Sequence, residues 1–374
     1  MSDPFKKAEA LPHQGSAEGA GEEDNMINIG RARMALASLG IGVLVSACGG
    51  GGGDPGGAPP SQSGPTGTNA HVLFVSDYTT SAIAAFSTLT PTPGTNLTGD
   101  IVGTAPIGSS LAYDAARDIL YAGGGGAPSN EPARIDVYEH ASKLAAVSAP
   151  TRSILASDFS TGRQIFLDAA NDTIWFGGEL KSTPAGVDVS NEAIEVFTHA
   201  STLSGAATPD RIIEDLQIQQ FTVDVGRSIL YVMGNTSTIA VYPNALAING
   251  VVQPARLIGA SYADAFTVDA TRDILYLASS PPSQGGLTHV IVSLPGASTQ
   301  NLDSERQAAP IAPIALPALN VLSLVADPAH DRLYCGASGG ALVIESASTL
   351  APGSTVSAAV VQASGDVAVT SFAF

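Results

Sequence analysis

"FTVDATRDILYLAS", residues 266–279, alternates apolar and small polar residues up to an aspartate, turns, and runs on through an apolar pair. The same phrase returns as "LAYDAARDILYAGG" from Leu111, "IFLDAANDTIWFGG" from Ile165, "FTVDVGRSILYVMG" from Phe221 and "LVADPAHDRLYCGA" from Leu324. Each copy reads as two short strands around a tight turn, because Val, Ile, Phe and Tyr favour the pleated surface and Asp favours the turn. Its apolar pair recurs at 73–74, 120–121, 174–175, 230–231, 275–276 and 333–334.

A loop of variable length follows each pair, then a third strand: "AIAAFS", "RIDVYEHAS", "AIEVFTHAS", "TIAVYPNA", "HVIVSLPGAS" and "ALVIESAS". A turn and a fourth, edge-like strand come next, clearest in "PTRSI", "PDRII" and "PARLI". No segment carries a sustained helical period. Four strands in about 50 residues, repeated around the chain, is the pattern of a β-propeller, whose blades cover one another's faces. Six second strands are preceded by only five complete inner strands. The C-terminal "GDVAVTSFAF" (365–374) has the alternation of the missing one. The expected fold is therefore all-β: a six-bladed propeller of four-stranded blades, closed by the C-terminal strand pairing into blade 1.

The turn aspartates Asp114, Asp168, Asp224, Asp269 and Asp327 invite a catalytic reading. Equivalent positions in separate blades cannot converge on one substrate, so their expected role is to accept backbone N–H bonds in each hairpin.

Ahead of the repeats, "MINIGRARMALASLGIGVLVSACGGGGGD" places Arg31 and Arg33 before an apolar run that ends in Val45-Ser46-Ala47-Cys48. That run is too short to span a bilayer and has the length of a signal-peptide core. It resembles a bacterial lipoprotein signal, which implies lipidation of Cys48 and loss of residues 26–47. Residues 1–25 are a polar, acidic extension that such signals lack, which points to translation starting at Met26. Gly49 rather than Asp after the cysteine implies, by the same resemblance, a lipid-anchored place at the outer membrane, facing the periplasm or the cell surface. Residues 48–70 are rich in Gly, Pro and Ser and read as a tether. The propeller is expected over 71–374.

The repeat resembles the NHL and YVTN-type bacterial propellers over roughly 71–374. That resemblance speaks for fold and little for function, since such propellers include binding scaffolds, lactonases and lyases.

A formal charge of −18 and a pI near 4.5 exclude nucleic acid and anionic lipid as partners for a basic patch. Cys48 and Cys335 form neither a disulfide framework nor a zinc motif, and Cys335 on a second strand reads as a small core residue. His140 and His199 fall at outer strand ends, and no nucleophile elbow, HExxH or phosphate loop is present; "GASGG" (336–340) is a short connection between a second and a third strand. The remaining candidate site is the mouth of the channel. There the long loops 123–133, 177–193 and 278–288 and the polar residues Ser109, Ser110, Arg163, Gln164, Gln219, Gln220, Asp264 and Asp366 are expected to meet, making a mixed-charge rim. The reading is a monomeric, lipid-anchored module that binds a polar ligand or a protein, without catalytic residues or cofactor. One alternative is a metal-dependent lactonase- or lyase-type enzyme with Ca2+ held by Asp264 and Asp366. The other is a structural part of an envelope assembly.

Mass spectrometry of the native N-terminus is expected to find a lipid on Cys48 and no residue before it. A free thiol there refutes the anchor.

Overall fold

The computed structural model describes residues 73–77, 80–87, 99–126, 132–144, 147–181, 192–234, 238–260, 263–279, 290–300, 314–315, 321–337, 340–350, 359–361 and 369–373. They form six sheets of four or five strands each, hydrogen-bonded in simple sequence order from the inner strand outward. Sheet 2 runs Ser110–Asp114, Ile119–Gly124, Arg134–Glu139, Arg152–Ala156. Sheet 3 runs Phe159–Asp168, Thr173–Leu180, Glu192–Thr198, Arg211–Leu216. Sheet 4 runs Gln220–Asp224, Ile229–Met233, Thr238–Pro243, Arg256–Gly259. Sheet 5 runs Ala263–Asp269, Ile274–Ser279, Val290–Pro295, Ile314–Ala315, and sheet 6 Val321–Asp327, Arg332–Ala337, Gly340–Glu345, Ala359–Val361. Sheet 1 is assembled from both ends of the repeat region. Val369–Ala373 pairs antiparallel with Leu73–Asp77, followed by Ala82–Phe86 and Asp100–Thr104.

Both faces of every sheet are apolar, and the repeated pair shows why. In sheet 4, Leu230 packs toward sheet 3 while Tyr231 packs toward sheet 5. Leu275 and Tyr276 divide in the same way between sheets 4 and 6, and Leu333 and Tyr334 between sheets 5 and 1. Side chains alternate faces along a strand, so an adjacent apolar pair supplies one residue to each of two interfaces. Six core clusters result, one for each pair of successive sheets. Sheet 6 meets sheet 1 through Tyr334, Ala341 and Val343 against Leu73, Val75, Ala84 and Phe86. Burying one such side chain stabilises by about 1.5–3 kcal/mol, so these interfaces dominate the stability of the fold.

The hairpin aspartates act locally, as their positions implied. Asp114 Oδ1 accepts the N–H groups of Ala116 and Arg117 at 3.0 Å, and its Oδ2 accepts Arg117 Nη1 at 2.6 Å. The same Nη1 donates to the carbonyl of Ala169, in the hairpin of sheet 3, at 2.8 Å. Arg227 repeats this between Asp224 and the carbonyl of Ala270, and Arg272 between Asp269 and the carbonyl of Pro328. Asn171 and His330 take the arginine's place beside Asp168 and Asp327. In sheets 2, 4 and 5 the clasp thus locks the turn and ties it to the next sheet.

A second aspartate closes the other end of the hairpin in sheets 2, 3, 5 and 6, and Ser228 takes its place in sheet 4. Asp118, Asp172, Asp273 and Asp331 sit at φ of 51–57°, a left-handed conformation that Asp tolerates. One oxygen of each accepts the backbone N–H, and the other the hydroxyl, of Ser142, Ser201, Ser298 and Ser348 respectively. This is the reason for the recurring Ala-Ser after the third strand.

Outer edges are covered too. Gly205–Ala207 pairs parallel with the fourth strand of sheet 2, and Gly250–Val251 with that of sheet 3. Arg152, Arg211 and Arg256, the arginines of the fourth-strand motifs, reach the carbonyls of Ser201, Ala245 and Ala297 in the following sheet. A free strand edge is a template for aggregation, and in sheets 2 and 3 these short strands cover that of the fourth strand.

Deleting 369–374 strips the inner strand from sheet 1 and leaves the ladder of Leu73–Asp77 half open. The expected outcome is a lost or grossly lowered cooperative melting transition, while deleting 49–69 leaves the melting temperature nearly unchanged; equal effects would refute the role of the last strand.

Candidate functional site at the inner strands

The inner strands of sheets 2 to 6 line one cavity of about 440 Å3. Its wall is built from 110–113, 164–167, 220–223, 266–268 and 324–326, and it reaches the hairpin turns at Ala169, Gly226, Ala270 and Pro328. None of these lining residues is charged. The volume falls in the range of small-ligand pockets, which are mostly apolar with a few placed polar groups.

Two of the candidate glutamines have structural partners. Gln164 Nε2 donates to the carbonyl of Phe221 at 3.0 Å and its Oε1 accepts the N–H of Phe221 at 2.7 Å. Gln220 Oε1 accepts the N–H of Phe266 at 2.8 Å. Thr267 Oγ1 continues the series by accepting the N–H of Ala326. A side chain of one inner strand therefore stands in for a ladder partner on the next, which keeps neighbouring sheets in register where their backbones are too far apart to pair. Gln219 is exposed just before the inner strand of sheet 4. Ser109 and Ser110 are buried, and the carbonyl of Ser109 accepts the hydroxyl of Ser76.

Arg163 is half-buried and held by two carboxylates of its own sheet. It pairs with Glu179 and, at 2.7 Å, with Glu192, and it donates to the carbonyl of Ile218 at 2.9 Å. Glu192 also accepts the N–H of Ile218. The cluster bridges sheet 3 to the strand entering sheet 4 and carries a net charge of −1. Asp264 is exposed on the inner strand of sheet 5. Asp366 lies outside the described residues, as do Cys48 and the centres of the three long loops. Sequence reasoning missed Glu179 and Glu192. Both stand at the ends of the 177–193 loop, and their spacing from Arg163 carries no local signal.

Arg163 and Asp264 share one feature. Each sits at a register shift, between Gly162 and Gln164 and between Ala263 and Ala265 respectively. Sheets 3 and 6 have further shifts between Phe159 and Thr161 and between Val321 and Ser323. All four fall at the entrance end of an inner strand. A bulge adds one residue, bends the strand and re-aims a side chain, and bulges concentrate beside functional sites.

Among the described residues, no group of three or more His, Cys, Asp or Glu side chains is placed to hold a metal ion. Cys335 is fully buried between sheets 5 and 6, and burial pushes its thiol pKa up, so it is inert core. His140 and His199 both adopt left-handed backbone where the third strand ends.

No family model matches the chain, and no curated protein matches it. Among solved structures it is similar to a chain of a nidogen/laminin complex, with a TM-score of 0.51 and 13% identity over 81% of this chain and 97% of that one. It is also similar to a chain of a mitotic checkpoint complex, with a TM-score of 0.44 and 11% identity over 82% and 81%. The first likeness concerns fold alone. Together with six stacked sheets, five of whose inner strands line one cavity, it defines the class of the protein as a β-propeller.

Gln164→Ala leaves the buried N–H and carbonyl of Phe221 without partners, at a cost of about 1–3 kcal/mol. Thermal or denaturant melts are expected to show that loss, whereas exposed Gln219→Ala stays within roughly 0.5 kcal/mol of wild type.

Proposed function

We propose that the protein is a lipid-anchored envelope propeller: six blades closed into a ring by the C-terminal strand, tethered through Cys48, with a binding seat in the cavity among the inner strands. Pairing of Val369–Ala373 with Leu73–Asp77 and packing of sheet 6 on sheet 1 support the closed ring. The lipoprotein-like segment and the Gly/Pro/Ser tether support the anchor.

The observation that carries the binding reading is the uncharged cavity of about 440 Å3 among the inner strands of sheets 2 to 6. An uncharged, mostly apolar wall takes an apolar group. The polar entrance, with Arg163, Glu179, Glu192 and Asp264, orients what carries it. The seat therefore fits an apolar side chain presented by a partner protein, with polar contacts made at the rim. A neighbour of like fold was itself solved within a nidogen/laminin complex, which offers a precedent for a protein partner. Arg163 is already neutralised by Glu179 and Glu192, so a bound anion would have to displace a carboxylate; this disfavours an anionic ligand.

An uncharged naphthylamine fluorophore reports the seat directly. Wild-type protein is expected to bind it with enhanced emission. Thr222→Trp, which fills the cavity from the inner strand of sheet 4, should weaken binding at least about tenfold, a loss of roughly 1.4 kcal/mol. His140→Ala and His199→Ala should bind as wild type. Undiminished binding by Thr222→Trp overturns this location of the seat. Membrane fractionation of Cys48→Ala tests the anchor separately.

A further inference from the structure

Glu195, on the third strand of sheet 3, is fully buried, and neither carboxyl oxygen has a hydrogen-bond partner. The same strand of sheet 2 shows what is missing. There Asp136 occupies the equivalent place, in "RIDVYEHAS" against "AIEVFTHAS". Asp136 is just as buried, but it accepts Arg134 Nε at 3.0 Å and the hydroxyl of Ser153 at 2.6 Å. In sheet 3 the corresponding neighbours are Ala193, two residues earlier on the strand, and Ile212, directly across the ladder. Sheet 3 keeps the acid and has lost both donors.

We propose that Glu195 is a proton-operated latch between sheets 2 and 3: its carboxyl stays neutral while the sheets are packed and ionises as they part, so the interface closes with proton uptake.

The side chain points toward sheet 2, because Ala193 and Phe197 on the same side of the strand pack in the cluster shared by the two sheets. Around it, the second and inner strands of sheet 3 present Phe176, Ile165 and Leu167, and the fourth strand presents Ile212 with Glu214 two residues along. Sheet 2 presents Ile135, Val137, Ile154 and Tyr121, whose phenol burial holds protonated with a pKa of about 12. Arg152, on the fourth strand of sheet 2, is engaged with Glu139 and the carbonyls of Ser201 and Leu203. The charges acting on Glu195 are Asp158, which opposes its ionisation, and Lys181, which favours it. Burial outweighs both and raises its pKa to about 8 from the ordinary 4.5. The packed form thus holds one more proton than the open form between those values. Stability from this group falls as pH rises through that window, and its loss is complete above the upper value.

Infrared spectroscopy at neutral pH is expected to show a protonated-carboxyl C=O stretch that Glu195→Gln lacks. From pH 5 to 9 the melting temperature of Glu195→Gln should gain several degrees on that of wild type. Ile212→Ser, which restores the hydroxyl that Asp136 has, should shift the wild-type titration to lower pH. If wild type shows no such band, or the melting difference does not change with pH, the latch is refuted. The wild-type band and the Ile212→Ser shift decide the matter even if the glutamine variant fails to fold.

Discussion

A four-stranded sheet with two apolar faces cannot stand alone in water, and every other feature of this chain depends on that constraint. Each sheet is stable only when sandwiched, and an adjacent apolar pair such as Leu230-Tyr231 serves both neighbours at once. Repetition follows directly, since the partner covering one face has an uncovered face of its own. Only a series whose last member meets its first leaves no apolar face in solvent, and Tyr334 of sheet 6 packs with Leu73 and Val75 of sheet 1. The polar devices are secondary and regular. An aspartate locks each turn, an arginine spans the gap beside it in sheets 2, 4 and 5, and a second aspartate holds a serine in sheets 2, 3, 5 and 6. The arginines of these pairs are partly exposed, so solvent screens the pairs although their aspartates are buried. Their value lies in setting the register between sheets that the non-directional hydrophobic interfaces would leave loose.

The same economy shapes the cavity. Inner strands splay from one another where they line it, so their backbones cannot pair. Gln164, Gln220 and Thr267 fill the gap with side-chain bonds to the next strand. What remains exposed to the cavity is uncharged. Charge stands at both ends of the inner strands: the clasp arginines at the hairpins, and Arg163 and Asp264 where the strands begin, turned off the regular ladder by bulges. Arg163 is nevertheless spent on Glu179 and Glu192, so the entrance is a braced rim and the uncharged wall behind it is the free surface.

Asp136 and Glu195 show how much a local exchange matters inside such a stack. Of two acids at equivalent places in neighbouring sheets, both buried, Asp136 has an arginine and a serine within reach and Glu195 has neither. Partnered, the carboxylate is a fixed part of the ladder. Orphaned, it is tolerated as a neutral acid, and its cost depends on pH. Variation among repeats is thus where an otherwise uniform architecture acquires individual chemistry.

Sequence alone determined the strands, the hairpins and their aspartates, because the periods involved are two residues within a strand and about fifty between repeats, and both can be counted. The count of inner strands also required the C-terminal segment to pair with the first unit. Tertiary structure decided the rest. Gln164 and Gln220 looked like ligand groups at the mouth, yet their partners are backbone atoms 57 and 46 residues away. Arg163 was expected in a mixed-charge rim with Asp264 and Asp366, and the two carboxylates it pairs with come from the ends of a long loop on its own sheet. The register shifts that aim Arg163 and Asp264 leave no mark in composition. Glu195 reads as one polar residue in an alternating strand, and only the stacking of sheet 2 against sheet 3 removes its water. Local periodicity is written in neighbouring residues, whereas partners and desolvation are set by whichever distant strand the packing brings alongside.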